Sequence, residues 1–395
     1  MKVVVPAEVA AGERRVAILP AEVARYRAAG LEVTVQSRAG VHALASDDAY
    51  RAAGAQVVDA VEAATVDVLL HVRPLSPQAV GKLRSGAITL GFCAPSAERE
   101  TVRALRDAGV TSFAMELLPR LAGTASMDAR SSQDLVAGYH GVLAAAVRLP
   151  RLFPRLTTAA GTLPPVRVLV LGAGVAGLQA IATARRLGAV VAGYAVPGSD
   201  VRAGVRAGAG EIASVGGTPL DLGPEPAGGT VRPELLAPHV IASDVVITTV
   251  VPPDGPAPRL VTAATLAAMR PGGVVVDLAA GAGGNVAGSR PGEDVEIDVG
   301  NGGVVRLVGL KDAAGALPAA ASRLYSANLA NLLLRMTRDG VVVPDLDDEI
   351  VAATCLTHGG VVRHAATAAL LGAGLATGLA TGLGTGPGGR PGGGA

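Results

Sequence analysis

Residues 166–177, which read VRVLVLGAGVAG, constrain the fold more than any other stretch of this chain. An aliphatic and β-branched run leads directly into a GxGxxG pattern formed by Gly172, Gly174 and Gly177, and a helix-like segment that ends at Gly188 follows. Strand, glycine turn and helix in this order are typical of a βαβ unit whose helix N-terminus faces the pyrophosphate of a dinucleotide. The stretch therefore predicts a dinucleotide-binding domain with a parallel sheet.

The ribose end of this predicted site departs from the usual fingerprint. That fingerprint places an acidic residue about 20 positions after the glycines, where it binds a ribose hydroxyl, but Ala195 stands at this position here. Three interpretations remain open for the loop that follows. Ser199 and Arg202 would accept the 2′-phosphate of NADP, Asp200 would reach the ribose of NAD, or all three side chains are simply solvated. We expect NAD as the cofactor, with NADP as the alternative.

Strand-like and helix-like segments alternate in two separate series, which predicts two Rossmann-like, doubly wound parallel sheets. The predicted strands lie at 2–5, 32–37, 66–72, 87–92 and 111–116, and then at 166–171, 189–194, 244–250, 273–279 and 304–310. Two long helical patterns, at 126–149 and 318–340, leave and re-enter the first series. We therefore predict a dinucleotide-binding domain at 140–318 inserted into a first domain made of 1–135 and 320–360.

The composition argues against several classes of protein. The formal net charge is +1, from 34 basic and 33 acidic residues, and no basic tract is present, so we expect no nucleic-acid partner. Cys93 and Cys355 lie far apart in sequence and predict neither a disulfide framework nor a metal site. The N-terminal segment lacks the pattern of a signal peptide. We expect a cytoplasmic protein.

Residues 361–395 are predicted to form a low-complexity Ala/Gly tail. The stretch 365–386 carries no charge over 22 residues, which is long enough to span a bilayer. It contains only five Leu, however, and its remaining Ala, Gly and Thr drive membrane insertion weakly. We therefore interpret this segment as a flexible or weakly ordered tail and not as a membrane span.

Two further strand ends belong to the predicted dinucleotide crevice, because ligands of open α/β sheets bind outside the carboxyl ends of the strands. TTVVPPDGPAP (248–258) and VDLAAGAGGN (276–285) both leave a strand into a loop rich in Gly and Pro or Ala, where backbone can approach a cofactor. From the first loop we predict Thr248 and Thr249 as cofactor-binding residues. The alternative is that both loops are ordinary turns, with Asp277 as a strand-end cap.

Several longer motifs occur in the order found in one family. They are GERRVAILP (12–20), PRLAGTASMDARSSQDLVAGY (119–139), TTVVPPDGPAP (248–258), VVVDLAAGAGGN (274–285) and SRLYSANLANLL (322–333). Over residues 1–360 the chain resembles the soluble, NAD(H)-binding component of nicotinamide nucleotide transhydrogenase and, more distantly, alanine dehydrogenase. The resemblance implies an oxidoreductase that transfers hydride between NAD(H) and NADP(H). It also implies a homodimer with membrane and NADP-binding partner subunits, through which the protein would be membrane-associated.

The resemblance assigns family roles to residues of this sequence. Those that orient the nicotinamide and its ribose are Arg120, Asp128 and Ser131. Those on the pyrophosphate turn are Gly172, Ala173, Gly174, Val175, Ala176 and Gly177. Those on a strand end beside the nicotinamide are Leu278, Ala279 and Ala280. Tyr325 and Asn328 fall on an interdomain helix, where packing and ligand contact are equally expected.

Three polar groups of the family pattern are absent. The family's RAQ becomes Gly123-Thr124-Ala125, its ribose Asp becomes Ala195, and the polar pair after DLAA becomes Gly281-Ala282. The missing Gln is the side chain expected beside the nicotinamide. Because each lost buried polar partner typically costs about 1–3 kcal/mol, a non-catalytic relic of the fold remains one of our hypotheses.

Direct hydride transfer between nicotinamides requires positioning and no general acid or base, and we find none of the six histidines in a catalytic setting. In the alanine dehydrogenase pattern, Arg15 matches an Arg and Arg73 stands at a Lys position, but Phe92 replaces the His and Gly281 replaces the Asp. Arg15 and Arg73 would clamp a small carboxylate or form a structural salt bridge at the domain mouth. A stand-alone NAD(P)-dependent dehydrogenase or reductase of a small amino or keto acid, recruited to biosynthesis, is therefore our alternative function.

Overall fold

The computed structural model of the chain describes residues 1–119, 121–196, 208–223, 231–252, 256–300 and 302–380. The strands that these residues form, in chain order, are β1 (Lys2–Val5), β2 (Glu32–Gln36), β3 (Gln56–Val58), β4 (Val68–Leu70), β5 (Ile88–Gly91), β6 (Thr111–Ala114), β7 (Leu156–Thr158), β8 (Gly161–Leu163), β9 (Arg167–Leu171), β10 (Val190–Tyr194), β11 (Thr218–Pro219), β12 (Val245–Thr248), β13 (Val274–Asp277), β14 (Asp294–Asp298), β15 (Val304–Gly309), β16 (Thr337–Arg338), β17 (Val341–Val342), β18 (Cys355–His358) and β19 (Val361–Val362).

The helices range from one turn to five turns. In chain order they are α1 (Pro20–Ala28), α2 (Asp47–Ala52), α3 (Pro77–Val80), α4 (Arg99–Asp107), α5 (Ala129–Ala146), α6 (Val175–Arg186), α7 (Ala209–Ser214), α8 (Pro233–Ile241), α9 (Ala263–Ala267), α10 (Pro318–Arg335), α11 (Glu349–Thr354) and α12 (Ala365–Ala380).

Two large sheets organise the described residues. The first has the strand order β19-β18-β6-β5-β4-β1-β2-β3, and its strands β1 to β6 run parallel while β18 and β19 are antiparallel additions at one edge. The second has the order β11-β10-β9-β12-β13-β15-β14, parallel except for the edge strand β14. This confirms the predicted class of two Rossmann-like α/β units, and every strand of both predicted series forms.

Aliphatic side chains fill both cores, as a chain without Trp requires. The central strands are buried on both faces, because helices cover both sides of a parallel sheet; β4, β5, β12 and β13 contain only buried residues. The long helices α5 and α10 connect the two units. Leu329, Leu332 and Leu333 of α10 pack into the core of the first sheet, while Val142 and Ala145 of α5 pack into that of the second.

The segment after residue 360 contains regular structure that its composition does not suggest. Val361 and Val362 pair with β18 as β19, and α12 begins at Ala365. Leu371 of α12 is buried against Cys93 and Leu356 of the first unit. Within the described residues, none of the helices combines the length and the apolar character that crossing a bilayer requires. The domain boundaries themselves stay a prediction, and the remainder of the predicted tail, residues 381–395, lies outside the described part.

Candidate functional site

The glycine turn joins β9 to α6 at the centre of the second sheet. Gly172 has φ +117°, which is accessible to glycine and strained for other residues, and a Cβ there would lie 2.2 Å from Thr249 Oγ1. A Cβ at Gly177 would lie 1.9 Å from the carbonyl oxygen of Gly172. The first glycine therefore permits the turn and the third permits close packing of helix against strand. Ala173 is buried, whereas Gly174, Val175 and Ala176 are half-buried at the helix N-terminus, which suits contact with an anionic ligand.

A second helix supports this N-terminus. Helix α5 packs along α6, and a Cβ at Gly138 would lie 2.1 Å from the carbonyl oxygen of Ala176. Gly141, one turn later on α5, faces Leu278 at the end of β13. The glycines of the LVAGYHG stretch thus let α5 approach the turn closely, which fixes the position of the predicted pyrophosphate site.

Buried hydrogen bonds fix the neighbouring strand ends. Asp277, which is fully buried, accepts from Thr248 Oγ1 at 3.0 Å, from Ala279 N at 2.9 Å and from Val286 N at 3.3 Å. Asp277 therefore caps the end of its strand, as expected if this loop is an ordinary turn. Thr248 is fully buried and serves this network, whereas Thr249 is half-buried beside the glycine turn.

Asn285 joins the two strand-end loops to each other. Its side-chain oxygen accepts from Val250 N at 3.0 Å, and its Nδ2 donates to the carbonyl oxygens of Val250 at 2.9 Å and Pro258 at 2.8 Å. This residue is the last of the DLAAGAGGN motif and has no exposed surface. Sequence reasoning did not single it out. A polar side chain that ends an otherwise Gly/Ala-rich loop was the available signal.

The strand end assigned to the nicotinamide presents few side chains. Ala279 and Ala280 are buried, and Leu278 is half-buried against α5. Gly281, at the first of the two positions where the family pattern is polar, is exposed. Backbone and one leucine side chain are therefore what this strand end offers to a ligand.

A cleft of about 520 Å³ lies between the units and contains Asp128. Asp128 caps α5: it accepts from Ser131 N at 2.9 Å and from Ser131 Oγ at 2.5 Å. These hydrogen bonds bring the two predicted site residues together, both half-buried, with Asp128 lining the cleft. The cleft is also lined by Val251 and Pro252, which follow β12, the strand beside β9. The opposite wall comes from α12 and the residue before it, with His364, Ala366, Thr367 and Leu370.

Glu116 shapes another wall of this cleft, and sequence reasoning missed it. Its Oε1 accepts from Cys93 N at 2.9 Å and from Ala94 N at 2.5 Å. Ala94 has φ +45°, a left-handed conformation that is unfavourable for alanine, and the carboxylate stabilises the turn that contains it. Burial raises the pKa of Glu116. The signal for this residue was a lone acidic side chain at the carboxyl end of the predicted strand 111–116.

Arg15 and Arg73 form an ion-pair cluster with two carboxylates. Arg15 binds Glu13 through Nε at 2.8 Å and Nη2 at 2.6 Å, and binds Asp312 at 2.7 Å. Arg73 binds Glu13 at 2.7 Å and Asp312 at 2.5 Å. Hydrogen bonding and the charge of Arg15 lower the pKa of Glu13 against the opposing effect of burial. Of the two alternatives for these arginines, the geometry matches the structural salt bridge at the domain mouth.

Glu8 lies beside this cluster and is a third carboxyl group near the two arginines. It accepts from Val72 N at 2.6 Å, and burial raises its pKa to about 7 despite that hydrogen bond.

Within the part of the chain that the structure describes, no group of three or more His, Cys, Asp or Glu side chains is arranged to hold a metal ion.

The SRLYSANLANLL motif on α10 makes contacts within the protein. Ser322 accepts from Val16 N at 3.0 Å, Ser326 accepts from Leu19 N at 2.9 Å, and Tyr325 donates to the carbonyl oxygen of His71 at 2.8 Å. Asn328 donates to the carbonyl oxygen of Ser126 at 2.9 Å. For Tyr325 and Asn328 these contacts favour packing over direct ligand binding, and they hold the loop that leads to Asp128.

The remaining predicted residues either lie outside the described part of the chain or are alanines without a polar side chain. Arg120, Ser199, Asp200 and Arg202 lie outside the described residues. Ala195 is half-buried after β10 and packs against the core of the second sheet. Ala125, at the family's Gln position, is exposed in a short 3-10 turn before Asp128.

Comparison with known proteins identifies the family. Residues 4–137 match the N-terminal domain of the alanine dehydrogenase/PNT family, and residues 141–365 match its C-terminal domain. The first part of the NAD(P) transhydrogenase alpha subunit of Rhodospirillum rubrum is 39% identical over 391 residues, which cover 93% of this chain and 98% of the relative. The alanine dehydrogenase of Mycobacterium tuberculosis (strain ATCC 25618 / H37Rv) is 34% identical over 296 residues, which cover 74% of this chain and 76% of the relative.

The similar solved structures are of the same two kinds of enzyme as these relatives. A transhydrogenase from Sinorhizobium meliloti superposes with a TM-score of 0.79 at 41% identity, covering 93% of this chain and 100% of that one. An L-alanine dehydrogenase superposes with a TM-score of 0.78 at 23% identity, covering 94% of this chain and 99% of that one, and supports the fold. The predicted resemblance is thereby confirmed, and the chain belongs to the alanine dehydrogenase/PNT family of nicotinamide-dinucleotide oxidoreductases.

Proposed function

We propose that this protein is the NAD(H)-binding component of a nicotinamide nucleotide transhydrogenase and transfers hydride between NAD(H) and NADP(H). The observation that carries the proposal is similarity, along nearly the whole length of both chains, to the Rhodospirillum rubrum transhydrogenase alpha chain. The cleft geometry supports it, because Asp128, which is hydrogen-bonded to Ser131, lines the cleft together with Val251 and Pro252, the residues that follow the strand beside β9. A membrane-embedded and an NADP-binding subunit are the partners, and the protein is located at the membrane through them.

In this proposal the residues of the chain bind and orient the nucleotide. The backbone N–H groups at Gly174, Val175 and Ala176 bind the pyrophosphate at the N-terminus of α6. Asp128 and Ser131, held by their mutual hydrogen bonds, orient the nicotinamide and its ribose together with Arg120. Bound NAD(H) supplies the hydride chemistry. Such a transfer depends on near-attack geometry, to which the capping of α5 by Asp128 contributes.

The alternative, a dehydrogenase of a small amino or keto acid, finds less support. Such an enzyme needs free cations for the substrate carboxylate and a proton-transferring group. Here Arg15 and Arg73 are both engaged by Glu13 and Asp312, and Phe92 stacks on Tyr325 with ring centroids 5.1 Å apart. We therefore prefer hydride transfer between two nucleotides over the oxidation or reduction of a small acid.

The proposal is tested by calorimetric titration of the purified protein with NAD, NADH, NADP and NADPH in turn. We expect micromolar binding of NAD(H) and at least tenfold weaker binding of NADP(H). Hydride transfer is then measured after reconstitution with the membrane and NADP-binding subunits of the Rhodospirillum rubrum relative. Binding without transfer would limit the protein to a nucleotide-binding role. Failure to bind any of the four nucleotides would instead support the non-catalytic relic.

We also propose that the protein is a homodimer that pairs through the nucleotide-binding unit. The hairpin β7–β8 precedes β9, and all six of its residues are exposed. Leu163 is 52% exposed, and Leu152 and Val147, which precede the hairpin, are 55% and 78% exposed. An isolated two-stranded hairpin is marginally stable in water. A second copy that covers the face carrying the paired Leu156 and Leu163 would stabilise the hairpin.

A further inference from the structure

Two arginines from one unit converge on a single carboxylate oxygen of the other. Asp312 Oδ2 accepts from Arg15 Nη2 at 2.7 Å and from Arg73 Nη2 at 2.5 Å, while its Oδ1 accepts from Gly315 N at 2.9 Å. Arg15 follows β1 and Arg73 follows β4 in the first sheet, whereas Asp312 follows β15 in the second. Both oxygens of one carboxylate are therefore bound by charged or backbone donors.

The two arginine side chains favour an anion at the position of Asp312. Arg15 is only 5% exposed, and Glu13, the other carboxylate in contact with both arginines, is fully buried in its side chain. With Asp312 present, Arg15 and Arg73 both contact two carboxylates, and without it they share only Glu13, with Glu8, whose pKa burial raises to about 7, as the further carboxyl group near them. The buried guanidinium of Arg15 would lose one of its two ion-pair partners, which is unfavourable, whereas Arg73 is 38% exposed and partly solvated. The cluster is therefore a binding site for one carboxylate, and the chain itself supplies the occupant.

We propose that Asp312 is a specificity-determining residue, whose side chain permanently occupies a site for a small monocarboxylate and thereby excludes carboxylate substrates from Arg15 and Arg73. This inference rests on the proposed function, because it explains how a chain of this family is restricted to nucleotides. The donors suit the ligand class. Two guanidinium groups and one backbone N–H match the two oxygens of a carboxylate. Charge-assisted hydrogen bonds of this kind are stronger than hydrogen bonds between neutral groups.

The inference is tested by removing the internal carboxylate and supplying an external one. The side chain of Asp312 has the same heavy atoms as acetate, so Asp312→Gly creates a vacancy of that shape. We expect the thermal midpoint of this variant to rise saturably with millimolar acetate at constant ionic strength, since a ligand that binds only the folded state stabilises it. Equal concentrations of chloride should not reproduce the rise.

Matched variants distinguish this site from a general effect of salt. Asp294→Gly removes a carboxylate from the same unit that pairs with Arg148 on a more exposed surface, and neither this variant nor the unchanged protein should respond to acetate or pyruvate. Adding Arg73→Gln to Asp312→Gly should weaken the apparent acetate affinity at least tenfold. Asp312→Ala, which leaves a smaller space, should respond to formate in preference to acetate.

Each result decides the proposal. An Asp312→Gly protein that folds only in acetate would support it, as would saturable stabilisation of a folded variant. An acetate response no greater than that of Asp294→Gly, or failure of both Asp312 variants to fold in saturating acetate and formate, would overturn it. No nucleotide is present in these measurements. Failure of the unchanged protein to bind NADH would therefore contradict the proposed function without affecting this result.

Discussion

Single side chains at the ends of strands determine much of the geometry of this protein. Asp277 and Asn285 satisfy buried backbone groups of two glycine-containing loops, and Glu116 does the same for the turn at Ala94. Such residues contact backbone and hold it in one position, so they contribute to the site without touching a ligand. The residues that would touch a ligand are, by contrast, mostly glycine, alanine and backbone.

Ala195 provides a direct test of where the ribose lies. If the nucleotide follows the usual fingerprint, Ala195→Asp adds a carboxylate that accepts hydrogen bonds from the ribose hydroxyls, and NADH should bind at least about tenfold more tightly, since a hydrogen bond to a charged group contributes about 1.5–3 kcal/mol. Calorimetry with NADH and NADPH measures the change. Ala195→Asn should gain less, because it lacks the charge. Unchanged NADH affinity in Ala195→Asp would show that the ribose lies elsewhere.

His71 makes the stability of the protein sensitive to acid. Its ring is buried, with Nδ1 2.7 Å from the carbonyl oxygen of Arg73, and burial lowers its pKa to about 4 from an ordinary value of 6.5. The folded state therefore binds fewer protons than the unfolded state between these values. The stabilisation is fully present above pH 6.5 and is lost as the pH falls toward 4, by about 3 kcal/mol in total.

The contribution of His71 can be separated from that of Glu8, whose raised pKa has the opposite effect. Stability from Glu8 is lost as the pH rises from 4.5 through about 7, so the two partly cancel in the unchanged protein. His71→Asn keeps a donor for Arg73 but does not titrate. Denaturant unfolding at pH 7.5 and pH 5 should show a smaller loss of stability on acidification in this variant. An identical loss in both proteins would contradict the assignment.

At the scale of elements, the approach of α5 to α6 determines the position of the glycine turn. A Cβ at Gly138 would lie 2.1 Å from a backbone oxygen, so Gly138→Ala requires one helix to move. We expect a loss of about 1–3 kcal/mol in stability, as for other overpacked sites, and at least tenfold weaker NADH binding because the α6 N-terminus shifts. Denaturant unfolding and calorimetry measure the two effects.

Gly141 on the same helix is the matched control. A Cβ there would meet the tip of the Leu278 side chain at 3.3 Å, and this tip can move. Gly141→Ala should therefore leave stability unchanged or increase it by up to about 1 kcal/mol, the helix-propensity gain of alanine over glycine. If both substitutions lower the stability and the NADH affinity equally, the close approach of Gly138 to α6 does not determine the position of the turn.

The elements also show what the sequence predicts well. Strands that are aliphatic and buried on both faces, such as β9 and β13, are recognisable because parallel sheets require continuous apolar runs. The edge strands of the two large sheets, β3, β11, β14 and β19, are not predicted by the sequence. They are short, or carry charged residues as DVEID does, because one side of an edge strand faces solvent.

The candidate site likewise contains features that the sequence predicts and features that it does not. The glycine turn is a local motif with a local cause, and the sequence predicts it. The contact between Asp312 and Arg15 joins residues 297 positions apart, and no motif marks Asp312. The cleft wall formed by α12 was also missed, because its Ala- and Gly-rich composition resembles that of a disordered tail.

At the scale of the whole molecule, the exposed hairpin predicts the oligomeric state. Leu156→Glu and Leu163→Glu together place two charges on the apolar face of β7–β8, and a dimer formed there should dissociate into monomers. Sedimentation velocity measures the change. The matched control is Val361→Glu with Val341→Glu, which alters comparably exposed valines near the other sheet. A dimer that survives the hairpin variant unchanged would contradict pairing through this surface.

The first sheet takes its strands from two distant parts of the chain. Strands β1 to β6 end at Ala114, but their edge partner β18 begins only at Cys355, and the intervening second sheet is complete by Gly309. During synthesis, the nucleotide-binding unit can therefore assemble on the ribosome while the first core still lacks α10 and its antiparallel edge. The emerging edge of β6 stays open for that interval, which makes it the surface that a nascent-chain chaperone would have to shield.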